Sequence, residues 1–218
     1  MALVAGSYER FIWGFSLKTL TSPAAATDSS SETLTLAPLF SYPAHTGPVR
    51  CVAAAPTTPF ACRLERPASA VSYAEDRDGG DRFVMAAEEK VTVHDSEDAR
   101  IIHEMDRGKR VLAMAPAKNG VLYTGGEDRG ITAWDLSSGK VSSRIEGAHA
   151  TRVKGVVVFD SRKDGSELSN LIASASSDVV IRIWDVRTIG NAKPTPLAEA
   201  NTKARLTCLA GTSLKYHY

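Results

Sequence analysis

Long apolar runs are missing from this sequence. No stretch approaches the roughly 20 apolar residues of a membrane-spanning helix, and MALVAGSYERFIWGF (1–15) lacks the basic region and apolar run of a signal peptide. The expectation is an intracellular protein with no membrane partner. Cysteine is scarce. Cys51, Cys62 and Cys208 are odd in number and show no CxxC or Cys/His ligand spacing, which argues for free thiols rather than a disulfide framework or a zinc site. An excess of one charge sign is also missing. The 26 Lys and Arg stand against 25 Asp and Glu, for a formal net charge of +1, which speaks against a broad phosphate-neutralising face but leaves room for a local basic patch. No GxSxG, HExxH, Walker or GxGxxG motif occurs, and His45, His94, His103, His149 and His217 are scattered. EDRDGGD (75–81) and DSRKDGSE (160–167) lack the alternating oxygen ligands and closing Glu of an EF-hand. No catalytic residue, metal, cofactor or small-molecule substrate is expected.

What the sequence does contain is a repeat. Segments with helical periodicity are absent and short alternating runs recur. Four align: LVAGSYERFIWGFS (3–16), FVMAAEEKVTVHDS (83–96), VLYTGGEDRGITAWDL (121–136) and LIASASSDVVIRIWDV (171–186). Each has an apolar strand rich in small residues, an acid at a tight turn, then a second alternating strand. The acids are Glu9, Glu88, Asp128 and Asp178. Six residues after each stands a ring, Phe15, His94, Trp134 or Trp184, followed by Ser16, Asp95, Asp135 or Asp185. One turn position plus a strand makes that offset place the ring on a fixed face of the sheet. A turn acid accepts hydrogen bonds from backbone N–H groups or from a nearby His or hydroxyl, and a buried indole N–H needs an acceptor. Acid, hydroxyl and ring can therefore satisfy one another across neighbouring strands and fix the register of short ones. The Ser/His/Asp sets in the repeat are explained by this architecture rather than by nucleophilic catalysis.

Further β-prone runs precede the hairpins: VRCVAAAP (49–56), SAVSYAE (69–75), RVLAMAP (110–116) and RVKGVVVFD (152–160). A fifth, ARLTCLAGTSL (204–214), has no hairpin after it. AHTGPV (44–49) and GAHATRV (147–153) each put a His just before the inner strand. The unit is thus an inner strand, two middle strands and an outer strand. That is one blade of an all-β propeller.

GAH (147–149), SASSD (174–178) and IWD (183–185), together with GGED (125–128) and AWD (133–135), resemble the Gly-His…Trp-Asp signature of WD40 repeats. The resemblance implies that His149, Ser174 or Ser176, Asp178 and Trp184 form the structural network of one blade. The preceding blade has Thr124, Asp128 and Trp134 but carries Asp106-Arg107-Gly108 where the His would stand, and the 83–96 unit has His94 in place of Trp. The opening AGSYERFIWGF (5–15) resembles the first blade of the p21-activated-kinase-interacting protein family. LYTGGEDRGITAWD (122–135), AHATRVKGVVV (148–158) and LAEANTKARLTCLAG (197–211) are similar to its plant-type members. That family implies a seven-bladed, non-enzymatic WD40 scaffold linked to nucleolar assembly of the large (60S) ribosomal subunit and to restraint of a p21-activated kinase. Expected partners are pre-60S assembly factors and such a kinase, with weak or indirect rRNA contact. The expected location is the nucleus and nucleolus, with the cytoplasm also open.

The chain departs from that pattern in spacing. Glu9 and Glu88 are 79 residues apart, Glu88 and Asp128 40, and Asp128 and Asp178 50, whereas a WD unit takes about 40 to 45. The first gap has room for two units but holds one recognisable hairpin. PFACRLERPASAVSYAE (59–75) reads as an outer strand entering the next unit, and residues 55–60 as a junction where blades are missing. Residues 1–218 are expected to form a single propeller of four to five blades, as a distorted ring or an open arc, with 21–33 a flexible loop. A shortened, non-functional isoform is an alternative reading. DRGKR (106–110) is expected in a rim loop, with Arg129, Arg152, Lys154 and Arg187 adding positive charge at blade edges. Arg10, Trp13, Arg129 and Arg187 are the candidate exposed anchors for a partner.

Overall fold

The structure is a computed structural model, and it describes residues 2–7, 11–21, 32–43, 69–75, 81–95, 100–159, 170–188 and 194–212. The suspected junction at 55–60, the run VRCVAAAP, Glu9 and Arg10 lie outside the described residues. So does 22–31 of the expected 21–33 loop, while strands claim Thr21, Glu32 and Thr33 at its ends.

Sixteen strands follow in chain order: β1 (Ala2–Ser7), β2 (Phe11–Thr21), β3 (Glu32–Pro43), β4 (Ala70–Glu75), β5 (Asp81–Ala87), β6 (Lys90–Asp95), β7 (Ile101–Asp106) and β8 (Val111–Pro116); then β9 (Val121–Gly126), β10 (Ile131–Asp135), β11 (Lys140–Ile145), β12 (Val153–Val158), β13 (Leu171–Ser176), β14 (Val180–Asp185), β15 (Ala198–Asn201) and β16 (Leu206–Thr212). They form four antiparallel four-stranded sheets, β4-β5-β6-β7, β8-β9-β10-β11, β12-β13-β14-β15 and β16-β1-β2-β3. Short strands, most of them five or six residues long, cannot bury a two-faced core alone, so each sheet is one blade stacked on the next.

The fourth sheet joins the two ends of the chain. β16 pairs along β1 from Leu206↔Ser7 to Thr212↔Ala2. The fifth inner strand therefore does have a hairpin, the first one in the sequence, and four to five blades resolve to four among the described residues. SAVSYAE (69–75) is the inner strand of its own blade, as its place ahead of a hairpin predicts, and not part of an outer strand, because β4 packs beside the inner strand β8; residues 59–68 of the expected outer strand lie outside the described residues.

The core sits at the seams between blades. Val84, Val91, Val93 and Met105 of the first sheet pack with Val111, Leu122 and Trp134 of the second. Ile131, Tyr123 and Ile145 of the second pack with Val153, Val156 and Ile172 of the third. Ile181, Ile183 and Leu171 meet Ala5, Phe15, Leu206 and Leu209 of the fourth. Inner strands converge there, which is why they carry small residues. A Cβ on Gly155 would lie 2.7 Å from the backbone nitrogen of Leu209 in the next blade, closer than non-bonded atoms approach. Inner strands adjoin in the succession β4, β8, β12, β16, and an approach of comparable extent from the fourth sheet back to the first is absent among the described residues.

Candidate functional site

One rim of the array gathers the β5–β6, β9–β10 and β13–β14 turns with the segments that lead into β8, β12 and β16. Three backbone bonds link blade to blade there. The N–H groups of Arg107, His149 and Thr202 donate to the carbonyls of Glu89, Arg129 and Val179 at 3.0, 3.1 and 2.8 Å. Arg129 and Val179 hold left-handed φ angles of 63° and 66°, which aim their carbonyls outward from the hairpin toward the next chain segment. In the β5–β6 hairpin the left-handed residue is Glu88, at φ 56°.

The third blade contains a complete hydrogen-bonded chain. Trp184 Nε1 donates to Ser174 Oγ at 2.8 Å, and His149 Nε2 lies 2.8 Å from the same hydroxyl. His149 Nδ1 lies 3.1 Å from Asp178 Oδ2 and 3.2 Å from Oδ1. Asp178 also accepts the N–H groups of Ala150 and Val180, at 2.9 and 3.2 Å. Burial alone would raise the Asp178 pKa, but the hydrogen bond and charge of His149 and these two N–H groups outweigh it and bring the carboxyl to about 2. Ser174 rather than Ser176 is the hydroxyl of this chain. Ser176 instead donates to the carbonyls of Thr151 and Arg152 at 3.2 and 2.8 Å, and it accepts the Asp178 N–H at 3.3 Å, tying the turn to the entering segment.

An Asp–His–Ser array of this kind invites comparison with a nucleophilic triad. Its burial decides otherwise. The His149 side chain is 0% exposed and Ser174 is 0% exposed, both imidazole nitrogens are engaged, and the serine oxygen is committed to an indole. No carbonyl carbon can reach that oxygen.

The second blade solves the same problem with a different cation. Trp134 Nε1 donates to Thr124 Oγ1 at 2.9 Å. Arg107, in the expected rim loop, turns its fully buried side chain onto Asp128, with Nη2–Oδ1 2.7 Å and Nε–Oδ2 3.0 Å, and it donates to Gly130 O at 2.9 Å. A guanidinium can leave the loop only for a carboxylate that offsets its desolvation; burial is the main influence lowering the Arg107 pKa, opposed by Asp128. In the fourth blade Thr202 takes this place, and its hydroxyl donates to Val179 O and Ala204 O, both at 2.9 Å. Sequence reading passed over Arg107 and Thr202 in this role. The usable signal was position: each stands four residues ahead of its inner strand, as His149 does.

The degenerate units fill the ring position by packing. His94 stacks on Phe83 at a centroid distance of 4.5 Å, with Nε2 2.8 Å from Thr92 Oγ1. Phe15 is buried, and Trp13 stacks beside it at 6.5 Å. Trp13 is therefore half-buried against the core of the third and fourth blades rather than an exposed anchor. Of the other expected anchors, Arg129 is exposed on the rim. Arg187 is exposed at the opposite end of β14, where Nη2 and Nε pair with Asp185 at 2.7 and 3.0 Å. That contact is the main cause lowering the Asp185 pKa.

On the opposite rim a cavity of about 420 Å³ opens between the second and third blades, lined by Pro116, Tyr123, Val158, Phe159, Leu171 and Val186 among others. Burial raises the Tyr123 pKa. Among the described residues no group of three or more His, Cys, Asp or Glu could hold a metal ion, and no helix is long and apolar enough to cross a membrane.

No family model matches the chain. The p21-activated protein kinase-interacting protein 1-like protein of Danio rerio is 31% identical over 150 residues, covering 69% of this chain and 38% of that protein. The Gallus gallus protein of the same description is 30% identical over 153 residues, covering 69% and 39%. The Homo sapiens p21-activated protein kinase-interacting protein 1 is 29% identical over 130 residues, covering 60% and 32%. The chain thus spans well under half the length of these relatives. Among solved structures, the crystal structure of the RRP9 WD40 repeats superposes with a TM-score of 0.53 at 17% identity, covering 66% of this chain and 42% of that one. That likeness shows the fold.

Proposed function

The chain belongs to a WD40-repeat family that includes p21-activated protein kinase-interacting protein 1, and on that premise we propose that it is a non-enzymatic scaffold in nucleolar assembly of the large (60S) ribosomal subunit. The observation that carries the scaffold reading is the burial of His149, Ser174 and Trp184 in one hydrogen-bonded chain that ends on the half-buried Asp178. These four polar side chains are spent on holding blades in register, a structural role we also assign to Thr124, Asp128 and Trp134. What is left for function is the rims, where exposed side chains bind macromolecules. The nucleolar setting rests on the likeness of AGSYERFIWGF (5–15) and the plant-type stretches to the family. Its test is sedimentation: the tagged chain should travel with pre-60S particles and appear in nucleoli. A chain that stays at the top of the gradient, where a full-length relative sediments deep, defeats the reading.

The names of the relatives favour a second reading, restraint of a p21-activated kinase. A titration of kinase activity with the purified chain tests it, and no effect at micromolar protein, on the order of an ordinary transient affinity, excludes it.

A further inference from the structure

The cavity between the second and third blades takes no part in the hydrogen-bonded chains that hold the blades together. It lies where the inner strands β8 and β12 end, on the rim away from the turns that carry Asp128 and Asp178. Its walls are apolar: Pro116 and Ala117 at the end of β8, Val158 and Phe159 at the end of β12, Leu171 at the start of β13 and Val186 after β14. Ala117, Val158 and Val186 are half-buried, so apolar surface of both blades stays uncovered around the opening. A volume of about 420 Å³ far exceeds the roughly 30 Å³ share of one water and falls within the roughly 300 to 1,000 Å³ of ligand pockets. The walls are pinned. Ala117 N–H donates to Val121 O at 2.7 Å, Leu136 N–H to Gly120 O at 2.9 Å and Phe159 N–H to Leu171 O at 3.0 Å.

One polar group among these walls points to an occupant. Tyr123 borders the cavity and is 5% exposed. Its hydroxyl makes no hydrogen bond among the described residues, whereas a buried phenol ordinarily has a partner. Nor is that hydroxyl sealed from solvent, as the unpartnered one of Thr132 on the adjoining β10 is, so it faces the cavity that its ring borders. Burial raises the Tyr123 pKa, which keeps the phenol protonated and able to donate. Lys118, exposed at the mouth, is the one charged residue of the lining, and no acid lines it.

We propose that this cavity takes an extended peptide segment of a partner protein, which inserts one large apolar side chain, accepts the Tyr123 hydroxyl on a main-chain carbonyl and sets an acidic residue beside Lys118. A peptide carries an apolar side chain and a carbonyl acceptor within one residue, and that pairing matches apolar walls with a single donor among them. An ammonium has three donors, so Lys118 can take a carboxylate alongside the contact it already makes. RNA suits the cavity poorly. Tyr123 and Phe159 are buried and offer no open face on which a base could stack, and one cation makes no track for phosphates. Walls fixed by backbone hydrogen bonds keep the ordering cost of binding low. The inference rests on the reading of the chain as a protein-binding scaffold, not on its place in ribosome assembly.

Nuclear magnetic resonance on the whole isotope-labelled chain tests it, with acetyl-Phe-Glu-methylamide as the probe. Counterparts with Ala for Phe and with Gln for Glu, and toluene, serve as comparisons. The probe should shift the methyl signals of Val158, Leu171 and Val186 and saturate at millimolar concentration, on the order expected for one buried side chain. The Ala counterpart should bind about tenfold more weakly and the Gln counterpart about twofold. Tyr123→Phe keeps the ring and should weaken the probe about fivefold. Ala117→Trp fills the mouth and should abolish the shifts, while Val141→Ala, exposed on β11, should change nothing. Shifts that never saturate, equal binding of either counterpart, toluene binding as tightly as the probe, or indifference to Tyr123→Phe and Ala117→Trp overturns the inference. A chain that co-sediments with pre-60S particles while those methyls stay unmoved keeps the scaffold reading and loses this site. A chain that takes the probe but stays at the top of the gradient keeps the site and loses the ribosomal setting.

Discussion

The buried guanidinium of Arg107 holds both oxygens of Asp128 from a position four residues ahead of β8, the offset at which His149 reaches Asp178 ahead of β12. One blade closes its turn with an imidazole and the next with a guanidinium. The two solutions respond differently to substitution.

Removing one partner of the Arg107–Asp128 pair leaves the other uncompensated. Asp128→Ala strands a guanidinium whose side chain is 0% exposed and should cost about 3 kcal/mol. Arg107→Ala leaves a carboxylate that is 23% exposed and still reached by water, so it should cost less, about 2 kcal/mol. The double variant should fall short of the sum by about 1 kcal/mol or more. Urea melts of the four proteins provide the cycle, and strict additivity would show that the pair is not coupled.

Ser174 and Thr124 both accept an indole N–H, but Ser174 also partners His149. Ser174→Ala should therefore destabilise by about 2 to 3 kcal/mol and Thr124→Val by about 1 to 2 kcal/mol. Thermal unfolding of the two variants side by side reads the order. Thr124→Val as the more damaging change would contradict the hydrogen-bonded chain described for the third blade.

Stability should carry an acid limb from Asp178. Its pKa in the folded chain, about 2, lies below the ordinary 3.8, so the contribution is present above the higher value and is lost as pH falls through the lower one. That contribution is about 2 kcal/mol. Unfolding free energy measured between roughly pH 5 and pH 2 should decline for the parent chain and decline less for Asp178→Asn, which cannot titrate. Parallel curves for the two proteins would remove Asp178 as the source.

The seam between the third and fourth blades should be sensitive to a single methyl group. In Gly155→Ala the new Cβ meets the Leu209 side chain and its backbone nitrogen, and neither can move without shifting β16, so a loss of about 2 kcal/mol is expected. Gly147→Ala meets nothing within 4 Å, but its φ is +61°, and strain from that backbone angle alone should cost about 1 kcal/mol. Chemical denaturation of both separates packing from backbone strain. Equal losses would refute the close approach of β12 and β16.

The repeat was legible in the sequence because hairpins are local. The six-residue interval from acid to ring is set by one turn and one strand, so Asp128 with Trp134 and Asp178 with Trp184 could be read without any tertiary contact. The strands they mark form as expected, and the absence of long apolar runs and one-sided charge bounded the class of protein. What no local interval encodes is which distant segment meets which. That β16 completes the blade of β1 depends on pairing between the two ends of the described chain. That Ser174 rather than Ser176 takes the indole depends on the register of β13 against β14, which sets Trp184 opposite Ile172, two residues from Ser174 and four from Ser176. That Arg107 turns inward depends on the carboxylate of Asp128 waiting there, since only a paired charge can leave water. Sequence by itself determined the blade and its period; the tertiary structure decided how blades join, because their partners come from residues far apart in the chain and their burial is a property of the assembled stack.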